Sequence, residues 1–316
     1  MTSNDILDNE FKTQVYQVGN LEDHITNFIK HQYKETTKST YKYALTKFYN
    51  YIINTDVTEL RQDNITNIVR DYRGYLTEST SLKSGSIDSY ITQLKAFLNQ
   101  QLNLKPKKIR KLDYTKKEPK YIELEEVQGL INTVQYITGN PEQIARDKAI
   151  ICTLFTGGLR ISELLNIKLE DYITRGDTSY LMIIGKGRAL DSPESIAIPP
   201  QTTSLINDYL KQRRQHKRQC KYLFCSLSDK QLTRQSVNKE VKKIANEYDR
   251  LNNTNIAPRV STHTFRHSLA RYCLVTKGLP INQVKDLLRH SNIETTAKYL
   301  TTSKEEITEI RKGIIF

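Results

Sequence analysis

Two prolines bracket a run of bases, KPKKIRKLDYTKKEPK at residues 105–120, and this run decides how the chain can be partitioned. It holds eight bases, two acids and two prolines. Proline lacks an amide hydrogen and fixes φ, so neither a long helix nor a central strand passes through such a run. Charge this dense also resists burial. The apolar residues on either side must therefore form two separate cores, and 316 residues are enough chain for both. The expected organisation is a tail at 1–20, a helical domain at 21–104, an extended connector at 105–120, a larger domain at 121–303 and a terminal helix at 304–316.

Charge is unevenly shared between these parts. Residues 1–104 carry eleven bases and twelve acids, whereas the whole chain has 48 Lys plus Arg against 35 Asp plus Glu. The net +13 thus lies wholly beyond residue 104 and points to a polyanionic partner, nucleic acid or a membrane surface. No run of 18 or more apolar residues is present, and the start, MTSNDILDNE, is acidic and polar. A spanning helix, a signal peptide and a basic membrane anchor are disfavoured, which leaves nucleic acid and a cytoplasmic place. A charge run is usually solvated surface. Joining two domains of a basic protein, however, Lys105, Lys107, Lys108, Arg110 and Lys111 could equally follow a phosphate backbone.

Cys152, Cys220, Cys225 and Cys273 form no C-x-x-C pair and read as reduced thiols. His216, Cys220 and Cys225 fit no common zinc spacing, so no metal is expected. No phosphate-binding glycine pattern of a nucleotide site occurs, and no cofactor is expected.

Helical spacing is clear before the run: Leu21, Ile25, Phe28 and Ile29, then Tyr41, Leu45, Phe48 and Ile52. Further helices are expected over 63–76, capped by Asp63, and 86–101, capped by Ser86. After the run, helices are expected over 124–137 and 140–156, strands over 180–184 and 194–198, and helices again over 202–214, 233–248, 264–277, 281–288 and 304–312. One hairpin among helices gives a mainly α fold class with a small antiparallel sheet, unlike a parallel nucleotide-binding sheet.

Three segments gather groups that handle phosphate. In TGGLRISELLNIKLEDY, 156–172, Arg160 and Glu163 are three apart and share a helix face, so the carboxylate can orient the guanidinium. In STHTFRHSLARY, 261–272, His263 and Arg266 share a face near a helix start, where anions are favoured and Arg can grip two phosphate oxygens. In LLRHSNIETTAKYL, 287–300, His290 precedes Tyr299 by nine residues. Taken singly, these are an ordinary ion pair, a chance H-x-x-R and one tyrosine among 19.

Together and in this order they strongly resemble the tyrosine recombinase, or λ-type phage integrase, family. The first resembles its T-G-x-R-x-S-E-L box, the second its H-x-L-R-H box and the third its L-L-G-H…T-T-x-x-Y box. The turn at Gly185–Lys186–Gly187 is similar to the hairpin holding the family's lysine. Departures are few: Phe265 for Leu, Arg289 for the Gly before His290, and RALDSPESIAIPP in place of an Arg-x-Val-Pro-Leu ending. The available length makes the architecture look closest to Xer-type and transposon- or plasmid-encoded members.

The resemblance implies a two-domain, C-shaped DNA clamp with a helical core-binding domain and a catalytic domain. It implies Tyr299 as nucleophile, Arg160 and Arg266 as the phosphate clamp, Lys186 as general acid, and His263 and His290 as proton-transfer and hydrogen-bonding groups. Glu163 and His267 are implied as supporting residues. Implied partners are double-stranded DNA with inverted-repeat core sites, a tetramer on two sites joined through a Holliday junction, and a second recombinase or accessory proteins in some systems. The tail after Tyr299, with Ile307, Ile310 and Ile314 in a stripe, would be exchanged between subunits by resemblance or would fold back onto its own domain. Two other readings compete: a type IB topoisomerase using similar groups, and a DNA-binding protein without catalysis.

Overall fold

The computed structural model describes residues 14–32, 35–112, 120–137, 139–184, 193–290 and 292–297. The expectations for Lys186, Tyr299 and the 304–316 helix lie outside these residues. The chain divides into two compact units, Met1–Lys116 and Lys117–Phe316.

In the first unit, α1 (Leu21–Lys30), α2 (Glu35–Ile52), α3 (Ile65–Glu78) and α4 (Ser84–Leu102) surround one core, and β1 (Tyr16–Gln17) pairs antiparallel with β2 (Glu59–Leu60). Leu45, Phe48 and Ile52 of α2 meet Ile65, Val69 and Tyr72 of α3 and Leu94, Phe97 and Leu98 of α4 in this core. The helix starts differ from the sequence expectation. Asn64, not Asp63, precedes α3, because Asp63 faces Arg61 at 3.4 Å while Asn64 bonds the Arg61 amide and the Glu59 carbonyl. α4 begins at Ser84, which places Ser86 inside its first turn.

The basic run does not leave this unit at once. The Lys105 amide donates to Gln62 Oε1 at 2.8 Å, the Lys107 amide to Thr66 Oγ1 at 3.0 Å and the Leu112 amide to Asp88 Oδ1 at 3.2 Å. Arg73 donates to the Arg110 carbonyl, and Ile109 is buried in the core. Backbone groups are therefore turned inward, while Lys105, Lys107, Lys108, Arg110 and Lys111 are exposed.

In the second unit, α5 (Leu124–Thr133) and α6 (Pro141–Thr156) come first. Asn140 caps α6 by accepting from the Gln143 amide at 3.0 Å, and Pro141 suits its first position. The short α7 (Ile161–Asn166) follows, then β3 (Tyr172–Arg175), β4 (Thr178–Ile183) and β5 (Glu194–Ile198) as an antiparallel sheet in that order. Strand β3 was not expected. Its signal is the Gly176–Asp177 pair, a two-residue hairpin loop with Gly176 at φ +57°. Next come α8 (Pro200–Gln215), α9 (Arg234–Asn252), α10 (Thr262–Arg271), α11 (Ile281–Leu287) and α12 (Ile293–Ala297). α6 packs against α5, α8 and α10, which explains its apolar faces. α10 runs into a π turn at Tyr272–Thr276, with the Lys277 amide bonded to the Tyr272 carbonyl at 2.9 Å. No helix among the described residues is long and apolar enough to cross a membrane.

Candidate active site

The bend between α6 and α7 sets the site's geometry. Gly158 has φ +54°, and a Cβ there would stand 2.9 Å from Leu269 and 3.0 Å from Leu288. Only glycine suits this conformation and this approach of α10 and the end of α11. The bend delivers Arg160 to the residue before α7, so Glu163 lies one turn inside the helix.

Glu163 is the centre of the arrangement. Its side chain is 2% exposed. Oε1 accepts from Arg160 Nη1 at 2.7 Å, and Oε2 accepts from the Arg160 amide at 2.9 Å and from Arg289 Nη2 at 3.3 Å. Arg266 Nη1 lies 4.0 Å from Oε2. Burial alone would raise this carboxyl, but hydrogen bonds from the Arg160 amide and side chain, with the charges of Arg289 and Arg160, outweigh it and hold its pKa below the usual range. One carboxylate thus faces three guanidiniums, leaving two positive charges in excess in a largely desolvated place. Such a place is suited to an anion.

The cations are anchored to the backbone. Arg266, on α10, donates Nη1 to the Gly158 carbonyl at 2.5 Å and Nη2 to the Leu288 carbonyl. Arg289 shares its donors among the Gly157 and Gly158 carbonyls, each at 3.3 Å, and Glu163. Arg160 is the more open of the three, with its side chain 27% exposed.

His290 follows α11 and is buried, with Nδ1 2.8 Å from Thr296 Oγ1 of α12. Burial first, then the charges of Arg266, Arg160, Arg289 and His267, push its pKa down to about 4. His263 lies on the first turn of α10 and is exposed. Its pKa is also lowered, by desolvation first and then by Arg234, Arg266 and Arg160. Both rings are therefore neutral near pH 7. His267 sits one turn further on, its ring centroid 6.4 Å from that of His263.

Of the sequence-derived candidates, Arg160, Glu163, His263, Arg266, His267 and His290 are described and fall in the second unit. Lys105, Lys107, Lys108, Arg110 and Lys111 belong to the first. Three participants are absent from the sequence reading of the site: Arg289 on Glu163, Thr296 on His290 and Arg234 near His263. Only Arg289 carried a signal, as a bulky residue where glycine is usual. Among the described residues no three His, Cys, Asp or Glu gather as a metal site would require.

Comparison with known proteins bears on this geometry. The phage integrase family profile matches residues 120–306. The tyrosine recombinase XerD of Listeria innocua is 31% identical over 199 residues, covering 61% of this chain, and the chain spans 62% of that relative's length. The tyrosine recombinase XerA of Pyrococcus furiosus is 30% identical over 225 residues, 71% of this chain and 72% of that protein. Among solved structures, the XerH site-specific recombinase bound to palindromic difH substrate has a similar fold, with a TM-score of 0.67 at 21% identity, covering 94% of this chain and 84% of that one.

Proposed function

Since the chain belongs to the phage integrase family, the tyrosine recombinases, we propose that it cuts and rejoins duplex DNA at specific sites through a covalent bond between Tyr299 and a DNA phosphate. The observation that carries this reading is the buried carboxylate with three arginines around it. A phosphodiester entering beside Arg160 and Arg266 gains charge on its non-bridging oxygens as the fifth bond to phosphorus forms. Charges already fixed in place stabilise that state with little reorganisation, usually the largest catalytic effect.

In this mechanism Tyr299 Oη bonds to phosphorus while the bond to the 5′ oxygen breaks. The phenolic proton moves towards His263, whose lowered pKa keeps it in the accepting form at neutral pH. Lys186 gives a proton to the departing 5′ oxygen, a step for which a guanidinium is too weak an acid. His290 is neutral above about pH 4. When the Thr296 hydroxyl donates to its Nδ1, the ring's one N–H is on Nε2, where it donates to the phosphate. Glu163 and His267 orient these groups. The 3′-phosphotyrosine keeps the phosphodiester energy, so a 5′ hydroxyl from another strand reverses the attack without a nucleotide.

The substrate in this reading is double-stranded DNA with inverted core sites. Four copies act on two sites through a Holliday junction, and the outcome is integration, excision or resolution according to how the sites are arranged. Residues 304–316 pass between subunits in the ring. A nicked suicide duplex tests the core of the proposal. Wild type should give a detergent-resistant protein–DNA adduct, and Tyr299→Phe should lose it while binding DNA within about twofold, since only one oxygen is removed. An adduct that persists in Tyr299→Phe, or none in wild type, sinks the reading.

A further inference from the structure

Arg289 occupies a backbone conformation that its side chain does not suit. Its φ is +57°, the left-handed region that glycine adopts freely and long side chains do not. The residue closes α11. The His290 amide donates to the Lys285 carbonyl at 2.9 Å and the Arg289 amide to the Asp286 carbonyl at 2.9 Å, the paired bonds of a helix cap that ordinarily ends in glycine. Glycine would make both bonds without strain. A strained residue persists where its surroundings over-determine it, so the reason lies in the side chain.

The side chain does not lie in solvent, as a surface arginine at a turn would, but is 5% exposed. Its guanidinium meets Glu163 Oε2 and the Gly157 and Gly158 carbonyls, each at 3.3 Å. These are the groups that Arg160 and Arg266 also use. Arg160 holds Oε1 of the carboxylate, and Oε2 is held from α7 by the Arg160 amide and from the α11 cap by Arg289. With both oxygens held from opposite sides, the carboxylate cannot turn away.

We propose that Arg289 is a positioning residue of the strand-exchange site. It fastens Glu163 and the Gly157–Gly158 bend to the cap that carries His290, so that Arg160 and Arg266 keep one spacing for the phosphate. This rests on the recombinase reading above for the reaction it serves, though not for the contact itself.

Two measurements separate the contact from the reaction. The first is the carboxyl titration of Glu163 in DNA-free full-length protein, followed by 13C NMR and assigned through Glu163→Gln. Arg289→Gly should raise that pKa because a nearby positive charge is lost, and Arg289→Lys should raise it less. Arg160 and Arg266 still face the carboxylate in every variant. The second is single-turnover adduct formation on the suicide duplex. Arg289→Gly should slow it about 10- to 100-fold, the scale of a small misplacement of reacting groups. DNA affinity should hold, and the melting temperature should be equal or higher because the backbone strain is relieved. The acid limb of the rate should move to higher pH, and Arg289→Lys should recover part of the rate. His290, faced by Arg266, Arg160, Arg289 and His267, shifts in the same direction when Arg289 is removed. If the glycine variant fails to fold, the lysine variant carries both measurements. An unchanged Glu163 titration with a rate within about twofold of wild type overturns the proposal. A wild type that forms no adduct rejects the recombinase reading instead, and the titration still decides whether Arg289 holds the carboxylate.

Discussion

Among the described residues the first unit buries one polar side chain, Thr66, whereas the second buries fifteen, seven of them ionisable. The helical unit is held by apolar and aromatic contact, such as Phe28 against Phe97 with ring centroids 5.4 Å apart and Phe48 against Tyr72 at 5.2 Å. Its bases stay on the surface. The second unit encloses Arg146 with Asp147, Glu142 under Arg218, and Glu163 among three arginines. Buried ion pairs contribute little to stability compared with well-packed apolar groups, because desolvation offsets much of the attraction. Their concentration in one unit therefore teaches where charge is kept for geometry. On the first unit charge acts by being accessible, and on the second by being fixed.

The largest effect should come from breaking the fixed charge. Glu163→Gln leaves three guanidiniums without their carboxylate and should lower stability by about 3–5 kcal/mol, read from the urea midpoint. The control is Glu247→Gln, which breaks the surface pair with Arg250 and should leave the midpoint in place. If the two variants lose equal stability, the contrast between buried and exposed charge fails.

A smaller effect follows from His290. Its folded pKa of about 4 lies below the unfolded value, so between those two values the unfolded chain binds more protons and stability falls as the solution is acidified. From pH 7 to 4 the wild type should lose on the order of 2 kcal/mol more than His290→Gln, after allowing for solvent screening. Parallel pH–stability curves for the two proteins would count against a buried neutral ring.

The exposed bases should act without touching stability. Replacing Lys105, Lys107 and Lys108 with Gln should flatten the slope of log affinity against log salt by about two to three, if each meets a phosphate. The melting temperature should not move, since the backbone bonds that pin this stretch remain. An unchanged slope leaves the run as solvated surface.

What the sequence reveals of this arrangement depends on distance along the chain. Arg160 and Glu163 are three apart, and helical geometry alone brings them together at 2.7 Å. Gly158, Arg160 and Glu163 can therefore be read from one short segment. The contact of Arg289 with Glu163 spans 126 residues and depends on α11 packing beside the glycine bend, which no local period encodes. The helices with long apolar stripes are legible because burial imposes their period. Strand β3, at four residues, is too short for alternation to stand out, and only its turn gives it away. The start of α3 was misjudged because Asp63 and Asn64 are both good capping residues, and the choice was made by Arg61.

The π turn at Tyr272–Thr276 has a consequence for how this chain tolerates change in length. A π turn holds one residue more than the α-helix around it, the mark of an insertion absorbed without breaking the helix. Removing a single residue there would restore ordinary helical winding locally. Everything downstream would then be rotated by about 100° relative to α10, since each helical residue advances by that angle. Leu279, whose amide bonds back to the Cys273 carbonyl at 2.9 Å, would lose its seat, and with it the path that aims α11 at the glycine bend. A deletion that is harmless by helical propensity would thus misdirect Arg289 and His290 from a dozen or more residues away, so the length of this segment is constrained even where the identity of its side chains is not.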